Sequence, residues 1–130
     1  MNSLQTENAL ATVQDRILEI DYPLGNDATI EETKRIFDWA IGLIPDGKHF
    51  CIVKANFSLN VDPEVREWLS SEERLNFILA DAFVVNSMAL RIVANFYLKY
   101  NRPKHPTRTF NSFEEARKWI AGLADNLTVA

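Results

Sequence analysis

The longest apolar stretch of the chain is residues 78–100, ILADAFVVNSMALRIVANFYLKY. Its first part is almost continuously apolar, and Phe83-Val84-Val85 is an aromatic and β-branched run. That composition predicts a strand over 78–85, buried on both faces as in the centre of a parallel sheet. Asn86-Ser87 then signals a turn, with Ser87 placed to cap a helix because its hydroxyl can accept a bond from a first-turn N–H. The helix runs from 88 to about 100. Its polar stripe is narrow: Arg91, Asn95 and Arg102 fall at helical spacing, interrupted by Leu98, while Met88, Leu90, Ile92, Val93, Phe96 and Tyr97 cover most of the remaining surface. A helix apolar nearly all round is buried on more than one side. In so small a domain, the second side is expected to face another subunit. The stretch does not read as a membrane span, because Asp81, Asn86, Ser87, Arg91 and Asn95 interrupt a window that would need roughly 20 mainly apolar residues.

The flanking pattern supplies the rest of the sheet. Residues 1–7 read as a frayed tail. Residues 9–13 and 17–22 predict two strands joined by a tight connection at Gln14-Asp15-Arg16. In the second, Leu18, Ile20 and Tyr22 share one face and Glu19 and Asp21 the other, the alternation of a half-exposed strand. Thr29 and Glu32 have capping-box spacing and open a helix to about Ile44, with Ile30, Ile36, Phe37, Ala40, Ile41 and Ile44 inward. Pro45-Asp46-Gly47 ends it. Residues 50–53 predict a short central strand, followed by a loop at 54–61. Asp62-Pro63 starts a short helix burying Val65, Trp68 and Leu69, and Ser70 with Glu73 restarts it. After a connector at 101–106, residues 107–110 predict the last strand. Ser112 with Glu115 opens a final helix to about Ala124, with Phe113, Ala116, Ile120 and Leu123 inward and Trp119 nearby; 125–130 form a second tail. Alternating strands and helices predict an α/β fold: a mostly parallel sheet of about five strands with an antiparallel N-terminal hairpin, flanked by about four helices.

Length and composition narrow the picture. A chain of 130 residues, 47% hydrophobic, suits a single domain over 1–130. The N-terminal residues lack the basic and apolar regions of a signal peptide, and Cys51 is the single cysteine, so a cytoplasmic location is expected. A net charge of −4 disfavours general nucleic-acid binding. The charge is uneven: Lys99, Arg102, Lys104 and Arg108 fall in a stretch without an acid. This is either a solvated connector or a patch for an anion or acidic partner.

Catalytic chemistry has little to work with. His49 and His105 are the only histidines, and with Cys51 they form no ligand-spaced cluster, so no metal and no cofactor are expected. Each histidine reads as a surface or internally satisfied side chain. Cys51 lies inside an apolar strand, where a thiol behaves as a small hydrophobe. The acid pairs Glu31/Glu32, Glu72/Glu73 and Glu114/Glu115 all fall in first helical turns, where carboxylates favour the helix dipole. The glycines are scattered, with no phosphate-cradling motif. Open α/β sheets bind ligands beyond the C-terminal strand ends. That edge would hold Asn56, Ser58, Asn86, Ser87 and Arg91, either as an anion site at a helix N-terminus or as ordinary turn and cap residues. Phe57, Leu59 and Val61 alternate in the preceding loop and serve either as an apolar partner surface or as core.

Several segments together carry a family resemblance: the 50–53 strand, residues 62–68 and 80–98, Pro106-Thr107-Arg108-Thr109-Phe110, Phe113-Glu114-Glu115-Ala116 and Trp119-Ile120. In order and pattern, roughly over 9–123, the chain resembles the STAS fold of SpoIIAA-like anti-sigma-factor antagonists, and more closely small bacterial STAS-like proteins. In that family a partner kinase phosphorylates a serine or threonine in an Asp-Ser-Ser/Thr-Gly type turn between the third strand and the second helix. The loop here reads Lys54-Ala55-Asn56-Phe57-Ser58-Leu59-Asn60, with Ser58 but no Asp-Ser pair and no glycine. The resemblance makes Ser58 the candidate phospho-acceptor, where a phosphate would add about −1.5 to −2 charge. It implies a non-enzymatic interaction or regulatory module, homodimeric, acting through protein–protein contacts with an unidentified protein partner. The candidate ligand or partner surface comprises Asn56, Phe57, Ser87 and Arg91. The alternative is a small-molecule or lipid binder, with a pocket between sheet and helices rimmed by Trp68, Phe57 and the basic 99–108 segment.

Overall fold

Each run of alternating or continuous apolar residues becomes a strand. In a computed structural model describing residues 2–23, 27–55, 62–85, 87–101 and 104–129, these strands form one sheet. The elements are β1 (Asn2–Gln5), β2 (Leu10–Gln14), β3 (Ile17–Asp21), α1 (Ile30–Leu43), β4 (His49–Ala55), α2 (Pro63–Leu69), α3 (Glu72–Leu75), β5 (Ile78–Val85), α4 (Met88–Asn101), β6 (Thr107–Phe110) and α5 (Phe113–Val129). Strand order in the sheet equals chain order, β1-β2-β3-β4-β5-β6. The first two pairings are antiparallel and the next three parallel. The fold is thus the expected α/β mixed sheet with an antiparallel N-terminal hairpin and flanking helices.

The sheet has six strands rather than five. The additional one, β1, lies in the segment predicted to fray. Asn2 to Gln5 pair with Val13 to Leu10, and Leu4 packs on the core while its neighbours are exposed. An edge strand needs one inward side chain, so a polar sequence such as NSLQ carries no alternation strong enough to announce it. At the other end, α5 continues through part of the predicted tail, to Val129.

The local signals explain most boundaries. Asp15 takes a left-handed φ of 58° in the β2–β3 turn, a conformation Asp tolerates better than most side chains. Thr29 caps α1 by accepting from the Glu32 N–H. The Glu32 carboxylate is held by the Thr29 side chain and also reaches beyond its own helix. It accepts from the Thr6 hydroxyl at 2.6 Å, from the Asn8 N–H at 3.0 Å and from the Asn8 amide, so it pins the β1–β2 turn to α1. The predicted restart at Ser70 is also shifted. Ser70 closes α2, Ser71 opens α3 without a side-chain cap bond, and Glu73 instead accepts from the Trp68 indole N–H at 2.9 Å. Gly47 has φ 75°, and a Cβ there would lie 2.8 Å from the Phe77 ring.

The three parallel steps move across the sheet in one direction. Right-handed crossovers therefore put α1, α2, α3 and α4 on one face. On that face Ala11, Val13, Leu18, Ile20 and Cys51 pack with Ile36 and Ala40 of α1. On the other, Phe50, Ile52, Ala80, Ala82, Val84 and Phe110 pack under Ala116 and Ile120 of α5. A register shift between His49 and Phe50 sets two β5 residues, Leu79 and Ala80, on the α5 side in succession.

Candidate functional site

Beyond that shift, the β5 alternation sends Asp81 to the four-helix face, in the middle of a strand with apolar neighbours. A buried carboxylate must be paired, because an uncompensated charge there is too costly. Arg74 of α3 supplies the pair: Nη1 donates to Oδ2 at 2.9 Å and Nη2 to Oδ1 at 2.5 Å, with both side chains buried. His105, from the connector before β6, donates from Nε2 to Oδ2 at 2.6 Å. The Asp81 N–H donates to the Pro106 carbonyl, and Arg74 Nη1 also donates to the Leu69 carbonyl at 3.1 Å. One carboxylate thereby ties α3, the end of α2 and the 104–106 connector to the sheet. Burial alone would raise the Asp81 pKa, but the Arg74 charge and the His105 bond hold it below the usual carboxylate range. Burial likewise opposes the Arg74 charge, and Asp81 more than restores it.

Two further titratable side chains lie close by. Cys51 pairs across the ladder with Asp81, and burial pushes its thiol up to about 12, so it carries no thiolate for nucleophilic work. His49 is 0% exposed. Its Nδ1 bonds the Gly47 carbonyl at 2.8 Å, and Nε2 has no partner. Burial lowers its pKa and keeps the ring neutral. The prediction for the two histidines is therefore met at His105, which is paired, and only half met at His49. Among the described residues no group of three or more His, Cys, Asp or Glu is placed to hold a metal ion. The arrangement is an ionic staple with its carboxylate occupied on both oxygens.

The second feature is α4. The narrow polar stripe predicted for it does not point simply to solvent. Arg91 donates to the Asn111 side chain just after β6, and Asn95 accepts from the Thr109 hydroxyl at 2.8 Å. With its polar residues engaged along β6, the helix turns apolar ones outward: Met88 is 80% exposed and Ile92 63%. Met88, Ile92 and Lys99, all exposed, recur at helical spacing and form one outward stripe. Among the described residues no helix is long and apolar enough to cross a membrane.

The remaining predicted site residues are placed as follows. Asn56, Phe57, Ser58 and Asn86 lie outside the described residues. Ser87 is half-buried at the start of α4, and its carbonyl accepts from the Arg91 N–H at 2.9 Å. That is the ordinary backbone bond of a first helical turn, and the Arg91 guanidinium is on Asn111. Trp68, expected at a pocket rim, is buried edge-on to Phe37 with ring centroids 5.0 Å apart. The Arg74–Asp81–His105 staple is absent from the sequence-based candidates. The legible signal was Asp81 itself, a lone acid inside a run that otherwise demanded burial.

No curated protein and no solved structure matches the chain. A family model does match, over residues 11–124, which spans both faces of the sheet, the staple and all of α4. The chain belongs to that family, described as a domain of unknown function, DUF7793.

Proposed function

We propose that the chain is a non-enzymatic, STAS-like interaction or regulatory module of the cytoplasm, acting through protein–protein contacts, and that the outward stripe of α4 is its partner surface. The observation that carries this reading is the exposure of Met88 and Ile92 on a helix whose polar residues Arg91 and Asn95 face β6. Fully covering each such side chain would contribute about 1.5–3 kcal/mol. The chemistry at the staple supports the same reading, because Asp81 is fully paired and Cys51 is held as a thiol.

The test is a photo-crosslinking amino acid placed at residue 92, with the same group at the exposed Ala121 of α5 as control, in native cells. Discrete protein adducts at 92 and none at 121 are expected. Equal, diffuse labelling at both positions would reject α4 as the partner surface.

A further inference from the structure

We propose that the occupant of the α4 stripe is an acidic amphipathic helix of a partner protein, laid antiparallel to α4 with its carboxylates over Lys99 and Lys104. This rests on reading the stripe as a partner surface, and it adds the chemistry and the direction of the partner.

The argument is the distribution of charge. Residues 82–113 contain Arg91, Lys99, Arg102, Lys104 and Arg108 and no acid, a basic tract in a chain whose net charge is −4. Two of these bases are turned away from the stripe. Arg91 bonds Asn111, and the Arg108 guanidinium lies over the ring of Phe110, which packs on the α5 side. Lys99 and Lys104 are exposed, and neither forms an ion pair among the described residues. Lys99 lies in the last turn of α4, on the line of Met88 and Ile92. Lys104 belongs to the connector whose next residue, His105, bonds Asp81 on the four-helix face. Because α4 crosses over between two parallel strands, both lysines lie toward the N-terminal edge of the sheet and Met88 toward the opposite edge. The outward stripe is therefore apolar at its start and basic at its end.

A partner must match both ends. Ile92 lies about 10 Å along the axis from Lys99, and Met88 about 6 Å further on. A helix with Asp or Glu in its first turn, and large apolar residues about seven and eleven positions later, meets all three when it runs antiparallel to α4. Its own dipole favours carboxylates in that first turn. A parallel helix would need its acids in the last turn, where the dipole opposes them. A second copy of α4 cannot serve, since α4 contains no acid. An anionic membrane is the poorer match, because the bases gather at one end instead of flanking the apolar line. The apolar pair supplies the attraction, and the lysines set orientation and association rate.

The experiment is selection on the whole chain from a displayed library of helical peptides. Each peptide carries Leu at the positions facing Met88 and Ile92, and Glu or Lys at random in its first and last turns. The wild type is expected to enrich Glu in the first turn only. Lys99→Glu with Lys104→Glu is expected to enrich Lys there instead. Lys99→Glu alone should weaken a selected acidic peptide about tenfold at low salt. Ile92→Glu, with an unchanged circular dichroism spectrum, is expected to bind none of them. Enrichment indifferent to charge would overturn the acidic partner, and Glu enriched in the last turn would overturn its direction. Equal selection by wild type and Ile92→Glu would overturn the stripe as the docking site. Sedimentation of the wild type, but not Ile92→Glu, with phosphatidylserine vesicles would assign the stripe to lipid and overturn the proposal. Twice the chain mass by light scattering, lost in Ile92→Glu, would do the same in favour of a second copy. Residue-92 adducts in native cells to protein segments without acids would overturn the acidic helix and leave the partner-surface reading standing.

Discussion

The two faces of the sheet are built from alternate residues of the same strands, yet they are held by different physics. Under α5, Phe50, Ile52, Ala80, Ala82, Val84 and Phe110 meet Ala116 and Ile120, and the cluster is apolar throughout. On the four-helix face the apolar cluster lies toward β2, β3 and β4, under α1. Toward β5 and β6 the described residues add the Arg74–Asp81–His105 staple and the Asn95–Thr109 bond. Apolar packing is non-directional and fixes a distance between layers. A bidentate ion pair fixes an angle as well. The α5 layer is thus a lid set by shape. The placement of α3 and the connector before β6 is set by geometry at one carboxylate.

The largest expected effect comes from opening the staple. Asp81→Ala leaves the Arg74 guanidinium buried without its counter-charge and should destabilise the chain by about 3–5 kcal/mol. Urea midpoints measure this directly. A loss under about 1 kcal/mol would mean that water already reaches Arg74 and that the two faces do not differ as described. Next, Ile120→Ala on the α5 face should cost about 2–5 kcal/mol through lost transfer energy and a residual cavity.

Acid should then separate the faces. His49 is held neutral by burial, so its folded pKa lies below the ordinary 6.5. The unfolded chain takes up that proton first, and stability is lost as pH falls below 6.5. Asp81 and Glu32 sit below their ordinary 3.8 and 4.5. For Glu32 burial pushes up, and the bonds from Thr6 and Asn8 pull down further. Their contribution is complete above those values and disappears as pH falls through the lower folded ones. All three groups lie on the four-helix side. Wild type and Ile120→Ala should therefore lose stability with acid along parallel curves. A flat midpoint between pH 7 and pH 5 would remove His49 from that account.

The smallest effect belongs to the surface. Arg117 of α5 reaches Glu19 of β3 through two bonds of 2.6 Å, with about half of the arginine exposed. Arg117→Ala should cost less than about 1 kcal/mol, and less still in high salt. A larger, salt-independent loss would make α5 depend on more than shape.

How far the molecule was legible depended on whether a signal was local. β5 lies where the apolar run and its turn residues put it, because it pairs on both sides and announces itself by composition. The Thr29 and Ser112 caps were legible because a cap is made within four residues. β1 was not, since its pairing with β2 is satisfied by backbone atoms that every residue carries. The staple was hidden for a related reason. Its members, Arg74, Asp81 and His105, are brought together by a bulge, a short helix and a connector that no periodicity describes. The outward turn of α4 escaped because a helix with apolar residues nearly all round does not state which side its few polar residues will choose. Here the choice was made by Thr109 and Asn111, which take Asn95 and Arg91.

Because every strand pairs only with its neighbours in the chain, the sheet can be laid down in the order of synthesis. Each new strand finds its partner already made, and no early strand waits for a distant one. The exception is the layer rather than the sheet. Crossover helices reach the four-helix face as the strands appear, but α5 arrives last, after β6. Until it docks, Phe50, Ile52, Ala82 and Val84 form a bare apolar surface. A nascent or truncated chain ending before Phe113 is therefore a nearly complete sheet with one sticky side, the species that aggregation and chaperones compete for.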